Sequence, residues 1–208
     1  MTGASAVIAA LGAAGIFLAA CAVAPPPKTY VLDPLPVMDQ PVEPLLGRPV
    51  LEMRRVLVPD YLDGTELQVR DRANLVHVSE TGRWGERLSV GIARAVASGL
   101  SRRLSGVVVM TTAPPSPARC ELLLNVEAFE ADATRRAAFV GQWRVLAGGA
   151  RDTVAGERVS LTEPVAGSGD EAVVAAMSRI MDSLAARIAV AIQGLGTTCL
   201  AAGRERQS

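Results

Sequence analysis

The sequence predicts an α+β domain in which a mostly antiparallel sheet carries two long helices packed on one face. Several short segments alternate apolar and polar residues, which is typical of strands with one buried face. Two longer segments repeat apolar residues every three or four positions, which is typical of amphipathic helices. The order of these segments, β-β-β-α-β-β-β-β-α, favours one domain at residues 50–196.

Residues 1–20 predict a signal peptide. They carry no charged side chain, and residues 4–20 form a nearly continuous apolar run. A helix that spans a membrane requires about 20 strongly apolar residues, and this run is shorter and less apolar than that. Its length and position suit the apolar region of a secretory signal.

The apolar run ends in Leu-Ala-Ala-Cys, which is the pattern of a bacterial lipoprotein processing site. Cleavage between Ala20 and Cys21 leaves Cys21 as the new N-terminus, and its thiolate is the best side-chain nucleophile for lipid attachment. Two or three acyl chains, at about 0.8 kcal/mol per buried CH₂, anchor a protein stably. The alternative is an ordinary signal peptide with a chance cysteine. Alanine rather than aspartate at residue 22 favours the outer membrane by the sorting rule of enterobacteria.

Residues 21–49 predict a lipidated cysteine followed by a proline-rich tether. Eight of the 13 prolines lie between residues 22 and 49. Proline lacks the backbone N–H that a central strand requires, so we expect an extended segment that holds the folded body off the membrane. Residues 30–32 interrupt the prolines with apolar side chains and are expected to dock as a short edge strand.

The folded body begins with strands predicted at residues 50–58, 67–70 and 74–78. A helix is then expected to start near Trp84, because apolar residues recur every four positions from there. This stripe consists of Trp84, Leu88, Ile92, Val96, Leu100 and Leu104. Gly91 and Gly99 each weaken a helix by about 1 kcal/mol relative to alanine, and we expect them to let it lie close to the sheet.

The second half of the body predicts a short strand at residues 107–109 and then a three-stranded antiparallel meander. The meander strands are predicted at residues 120–129, 137–146 and 158–162. Ser168 and Glu171 have the spacing of a capping box, which predicts the start of the last helix. Its apolar stripe ends before Gly194 and Gly196, and residues 197–208 are expected to form a C-terminal tail.

Two cysteines remain once Cys21 is assigned to the anchor. Export implies an oxidising compartment, where the even pair Cys120 and Cys199 invites a disulfide. The bond would close a loop of about 80 residues. The alternative is two unpaired thiols, since sequence does not show whether the two residues are close.

Composition and motifs exclude several classes of function. The chain carries 21 basic and 21 acidic residues, which argues against nucleic acid as a partner because that partner requires a concentrated positive field. The single histidine excludes a metal site with several histidines. We find no nucleophile, phosphate-loop or metal-ligand motif, and therefore expect neither an enzyme nor a cofactor.

Four segments together resemble a known family. They are Tyr30-Val31-Leu32-Asp33-Pro34, the Pro-Asp-Tyr-Leu turn at residues 58–63, Val69-Arg70 with Asn74-Leu75, and Arg83-Trp84-Gly85-Glu86-Arg87-Leu88. In order and spacing they are similar to the PqiC-like auxiliary lipoproteins of ABC-type lipid transport systems. The resemblance covers nearly the whole chain.

This resemblance implies a non-catalytic outer-membrane lipoprotein that faces the periplasm. Its implied partners are an MCE-domain protein, which forms a tunnel through the periplasm, and an ABC transporter or related inner-membrane component. The implied role is a docking element at the outer-membrane end of the tunnel, as a homo-oligomer. The candidate partner-binding residues are Asp60, Tyr61, Leu62, Arg83 and Trp84.

Alternatives remain open for both the residues and the function. Arg83 is expected to pair with Asp60 or Asp63 and so pin the turn to the helix, or else to contribute to a subunit interface, where Arg and Trp are enriched. A lipid-binding module that shields an acyl chain itself is the alternative function. A periplasmic enzyme is a third class, against which the absence of a convergent polar set argues.

Overall fold

The computed structural model describes residues 25–32, 47–115, 117–148 and 152–200. The predicted signal peptide, Ala20 and Cys21 lie outside the described residues. The described strands are β1 (Lys28–Tyr30), β2 (Val50–Met53), β3 (Glu66–Arg72), β4 (Leu75–Trp84), β5 (Val108–Met110), β6 (Cys120–Asp132), β7 (Arg136–Ala147) and β8 (Thr153–Pro164). The described helices are α1 (Leu88–Arg103), α2 (Gly169–Gly194) and α3 (Thr197–Leu200).

The strands form one eight-stranded mixed sheet, and the predicted α+β class is confirmed. The prediction of a mostly antiparallel sheet is wrong, because four of the seven pairings between the described strands are parallel. The parallel pairings join β1 to β4, β2 to β5, β2 to β6, and β3 to β6. Alternation along a strand shows which side chains are buried, but it carries no information on the direction of the neighbouring strand.

The predicted meander is present as β6, β7 and β8, which pair antiparallel in chain order. One face of β6 is buried, since Leu122, Leu124 and Val126 are each at most 2% exposed. Phe129 and Phe139 pair across the strands, edge to face, with ring centroids 5.7 Å apart. Helix α2 packs against all three strands and covers this buried face.

Helix α1 starts four residues later than the sequence predicts. Trp84 is the last residue of β4, where its N–H donates to the Thr65 carbonyl at 2.8 Å, and the helix begins at Leu88. The predicted stripe is nevertheless entirely buried, with every member at most 4% exposed. The close approach expected of Gly99 is made to α2 rather than to the sheet, because a Cβ at this position would lie 2.5 Å from the Ala185 Cβ.

Helix α2 begins where the capping box places it, with Ser168 as the N-cap residue in extended conformation. The Ser168 side chain makes no capping hydrogen bond. Asp170 in the first turn accepts hydrogen bonds from the hydroxyls of Ser79, at 2.8 Å, and Thr81, at 2.5 Å. These bonds join the start of α2 to β4.

The folded body extends beyond the expected limits of residues 50–196 at both ends. β1 pairs with the end of β4 as an edge strand, and Leu32 after it is 1% exposed. At the other end, α3 lies in the predicted tail. Its Cys199 is 3% exposed and is bonded to Cys120 at the start of β6, with their Cα atoms 5.5 Å apart. The stretch expected to be a tether therefore contains a strand of the sheet.

A candidate partner-binding turn

The Pro-Asp-Tyr-Leu segment forms a tight turn between β2 and β3. The N–H groups of Leu62 and Asp63 both donate to the Pro59 carbonyl, at 2.9 and 3.1 Å. Asp60 and Tyr61 are exposed at the tip of the turn, whereas Leu62 is 1% exposed and belongs to the core. The turn therefore buries Leu62 in the core and exposes Asp60 and Tyr61 to solvent.

Asp63 fastens the turn to α1. Its carboxylate accepts a hydrogen bond from the Ser89 N–H at 3.0 Å and pairs with Arg87 Nη2 at 2.8 Å. Burial acts to raise the pKa of Asp63, but the hydrogen bonds from Ser89 and Arg87 outweigh it and hold the pKa below its usual value. The carboxylate also compensates the unpaired N–H groups at the start of the helix.

A second set of contacts fastens the turn to β3 and β6. Tyr61 Oη donates to Glu130 Oε2 at 3.2 Å, and Arg70 Nη2 donates to Tyr61 Oη at 3.3 Å. Arg70 Nε also pairs with Glu130 Oε1. Glu130 is 5% exposed, and this pair satisfies a carboxylate that would be costly to bury alone. Burial, followed by the negative charge of Glu130, raises the pKa of Tyr61.

Arg83 and Trp84 lie apart from these contacts. The expectation that Arg83 pins the turn is wrong, because Arg87 makes the ion pair with Asp63 while Arg83 Nε donates to Thr29 Oγ1 on β1 at 3.3 Å. Arg83 is exposed. Trp84 is 4% exposed and packs in the core, so it supports the fold rather than offering a contact surface.

Sequence reasoning missed an open groove on the face of the sheet opposite α2. The groove has a volume of about 410 Å³, and Leu57 at its edge is 60% exposed. Its other apolar and basic lining residues are Leu123, Leu124, Leu146, Arg54, Arg55 and Arg144. The sequence signal for this groove lies in the strand-like segment 50–58, where apolar Leu57 follows Arg55 at the two-residue spacing of one strand face. The mixed apolar and polar pattern of the segment concealed this signal.

The described part of the chain offers no group of three or more His, Cys, Asp or Glu residues placed to hold a metal ion. The single histidine, His77, is exposed on β4 and bonds Asp71 Oδ2 at 2.9 Å.

Among the described helices, none combines the length and the apolar character that crossing a bilayer requires.

Fold and turn define a small α+β domain whose two long helices pack together beside a mixed sheet. Residues 30–189 match the family described as the ABC-type transport auxiliary lipoprotein component. The chain belongs to this family. Membership in a lipoprotein family implies association with the cell envelope. No curated protein sequence matches the chain.

Two solved structures share the fold. One is an uncharacterized protein, 20% identical, with a TM-score of 0.67 over 80% of this chain and 98% of that chain. The other comes from Xanthomonas campestris and is 16% identical, with a TM-score of 0.64 over 81% of this chain and 97% of that chain. At these identities the likeness shows the fold alone.

Proposed function

We propose that this chain is a non-catalytic outer-membrane lipoprotein subunit of an MCE/ABC-type intermembrane lipid transport system. It is anchored through acylated Cys21, faces the periplasm, and docks the periplasmic tunnel formed by an MCE-domain protein. The family match supports the transport role, and the Leu-Ala-Ala-Cys segment supports the anchor.

The observation that carries the docking role is the rigid presentation of Tyr61. The residue is 42% exposed, yet its hydroxyl is held by Glu130 and Arg70, and the turn is held by Asp63. An aromatic side chain that is already ordered loses little entropy when a partner covers it. Exposed tyrosine is also among the residues that contribute most to protein interfaces.

The test is binding of the purified protein to an MCE-domain protein encoded by the same genome. We expect Tyr61→Ala to weaken binding at least about tenfold, which corresponds to about 1.4 kcal/mol, whereas Tyr61→Phe keeps the ring and binds within about threefold. Asp60→Lys probes the neighbouring side chain. Glu80→Lys, an exposed change of the same charge on β4, is the matched control. If Tyr61→Ala binds the MCE-domain protein as tightly as the unmodified protein does, the turn is not part of the interface.

Self-association is the second part of the proposal. Arg83 does not pin the turn, and it is exposed beside β1, so it is available for a contact between subunits. We expect Arg83→Glu to lower the oligomeric state measured by light scattering after size-exclusion chromatography. An unchanged mass for this variant would place the subunit contact elsewhere.

A lipid-binding module is the alternative, and the open groove is the observation that favours it. Leu57, Leu123 and Leu146 offer apolar contacts, and the neighbouring arginines suit an anionic headgroup. Mass spectrometry of lipid co-purified with the protein distinguishes the two functions. Stoichiometric lipid that is lost in Leu57→Asp would favour the alternative.

A further inference from the structure

The β3–β4 hairpin and the β6–β7 turn lie at the same end of the sheet. Arg72 pairs with Leu75 where the hairpin turns, and β3 pairs with β6 just before the β6–β7 turn. We call this region, residues 71–75 and 133–136, the hairpin end.

The register of β1 directs the N-terminal segment towards the hairpin end. β1 runs parallel to β4, with Lys28 opposite Gly82. Cys21 lies seven residues before Lys28, and Leu75 lies seven residues before Gly82. At about 3.3 Å per residue, each interval spans at most about 23 Å. The start of β1 therefore faces the hairpin end, and the reach from Lys28 to Cys21 is comparable with the distance from Gly82 to Leu75.

The residues just before β1 are exposed and cannot extend its pairing. Pro25, Pro26 and Pro27 have no backbone N–H to donate to β4. The paired strand consequently starts at Lys28, and only a short stretch separates it from the anchor. The body is held close to the membrane, within the same reach of about 23 Å.

The hairpin end carries side chains suited to a lipid surface. Arg72, Arg135 and Arg136 are exposed there, and Leu75 is 50% exposed. Arginine binds phosphate through its planar fork, and each basic residue near an anionic membrane contributes about 1 kcal/mol. A leucine beside them adds apolar contact at the headgroup boundary.

Two acidic residues at this end, Asp71 and Asp132, already have hydrogen-bond partners. Asp71 bonds His77, and Asp132 accepts hydrogen bonds from the N–H and hydroxyl of Thr134. The Asp132 carboxylate also accepts the N–H of Arg136, so it stabilises the turn.

We propose that the hairpin end docks on the anionic phospholipid headgroups of the membrane that holds the anchor. This rests on the acylation of Cys21 in the proposed function. The opposite end of the sheet, which carries the disulfide, then points away from that membrane.

The experiment uses the acylated full chain in vesicles of phosphatidylethanolamine and phosphatidylglycerol that contain a headgroup nitroxide. A fluorophore is attached at Ala133→Cys, in the hairpin end, or at Thr153→Cys, at the opposite end of the meander. Thr153 pairs with Leu146, ten residues along β7 from Arg136, or about 33 Å. The native cysteines are acylated or bridged, so each variant has one reactive thiol.

We expect the nitroxide to quench the Ala133→Cys label at least about twofold more than the Thr153→Cys label. We expect the double substitution Arg72→Glu and Arg136→Glu to make the quenching of the two labels equal. Replacing phosphatidylglycerol with phosphatidylcholine is expected to do the same. Arg119→Glu, an exposed change beside Cys120 at the opposite end of the sheet, leaves the two quenching values unchanged.

Equal quenching at both sites in protein that floats with the vesicles overturns the orientation and leaves the anchor standing. Greater quenching at the Thr153→Cys label does the same. Protein that does not float with the vesicles at all overturns the anchor, and the orientation falls with it.

Discussion

The Asp63 carboxylate accepts the backbone N–H of Ser89 at 3.0 Å, across 26 residues of sequence. The residue at the N-cap position of α1, Arg87, makes no side-chain cap of its own. The cap therefore comes from the turn that presents Tyr61, and the turn and the helix start form one structural unit. Loss of this contact is expected to affect both.

Asp63→Ala is expected to lower the free energy of unfolding at pH 7 by about 1 kcal/mol, the usual contribution of a helix cap. The pKa of Asp63 is depressed in the folded state, so its contribution is present above the ordinary carboxyl pKa and is lost as pH falls through the folded-state value. Urea unfolding at pH 7 and pH 3 measures both. Asp60→Ala, on the same turn, is the control and should change stability by less than about 0.5 kcal/mol. A difference independent of pH would contradict the assigned role of the charge.

Arg70→Met is expected to destabilise the fold by about 3–5 kcal/mol, because it leaves the Glu130 carboxylate buried without its positively charged partner. Adding Glu130→Leu should recover most of the loss, since the buried charge is then gone. Thermal unfolding of both variants gives the comparison. Arg158→Met breaks the more exposed pair with Glu127 and should lower the unfolding temperature far less, because solvent screens that pair. Similar losses of stability in Arg70→Met and Arg158→Met would contradict the greater contribution assigned to the buried pair.

Replacing Cys199 with serine is expected to lower stability by about 4 kcal/mol, since the bond to Cys120 spans 79 residues of sequence. The cost arises from the greater freedom of the unfolded chain. Dithiothreitol should destabilise the unmodified protein to a similar extent and have no further effect on Cys199→Ser. A reductant effect that persists in the variant would show that another thiol reaction is being measured.

Gly99→Ala is expected to destabilise the protein although alanine is the better helix former. The new methyl group would lie 2.5 Å from the Ala185 Cβ, so α1 and α2 must separate. Gly91→Ala is the matched control in the same helix, because its Cβ would meet no atom nearer than 3.5 Å. It should gain about 0.4–1 kcal/mol. Denaturant midpoints measure both, and the same sign at both positions would contradict the packing described.

Cys21→Ser is expected to give a soluble or unprocessed protein that no longer fractionates with membranes as a lipoprotein does. Serine lacks the thiolate that lipid transfer requires. Mass spectrometry of the N-terminus together with membrane fractionation provides the measurement. Unchanged processing and fractionation would show that the anchor is assigned to the wrong residue.

Local periodicity was sufficient for most elements. The stripe from Leu88 to Leu104 and the alternation from Leu122 to Val126 report burial directly, and both sets are buried. Parallel pairing was not predictable, because strands such as β2 and β6 meet only after α1 intervenes. The start of α1 was predicted too early because Trp84 lies at the four-residue spacing of the helix stripe. Its N–H nevertheless donates to the Thr65 carbonyl, and Trp84 ends β4.

In the candidate site, too, features set by local sequence were predictable, whereas contacts between distant residues were not. The turn at Pro59 and the exposure of Asp60 and Tyr61 follow from local chemistry. The hydrogen bond from Tyr61 to Glu130 joins residues 69 positions apart in sequence, and no local sequence pattern predicts it. From the sequence, Arg83 was expected to pair with Asp60 or Asp63, and only the structure shows that Arg87 pairs with Asp63.

The parallel pairing of β1 with β4 also determines how the body responds to mechanical force. A force that pulls the segment before Lys28 away from the folded body acts along the axis of β1. The hydrogen bonds of β1 lie across that axis, so they are sheared together instead of opening one after another. The three residues Lys28–Tyr30 at the edge of the sheet thus transmit tension on the N-terminal segment into the folded protein.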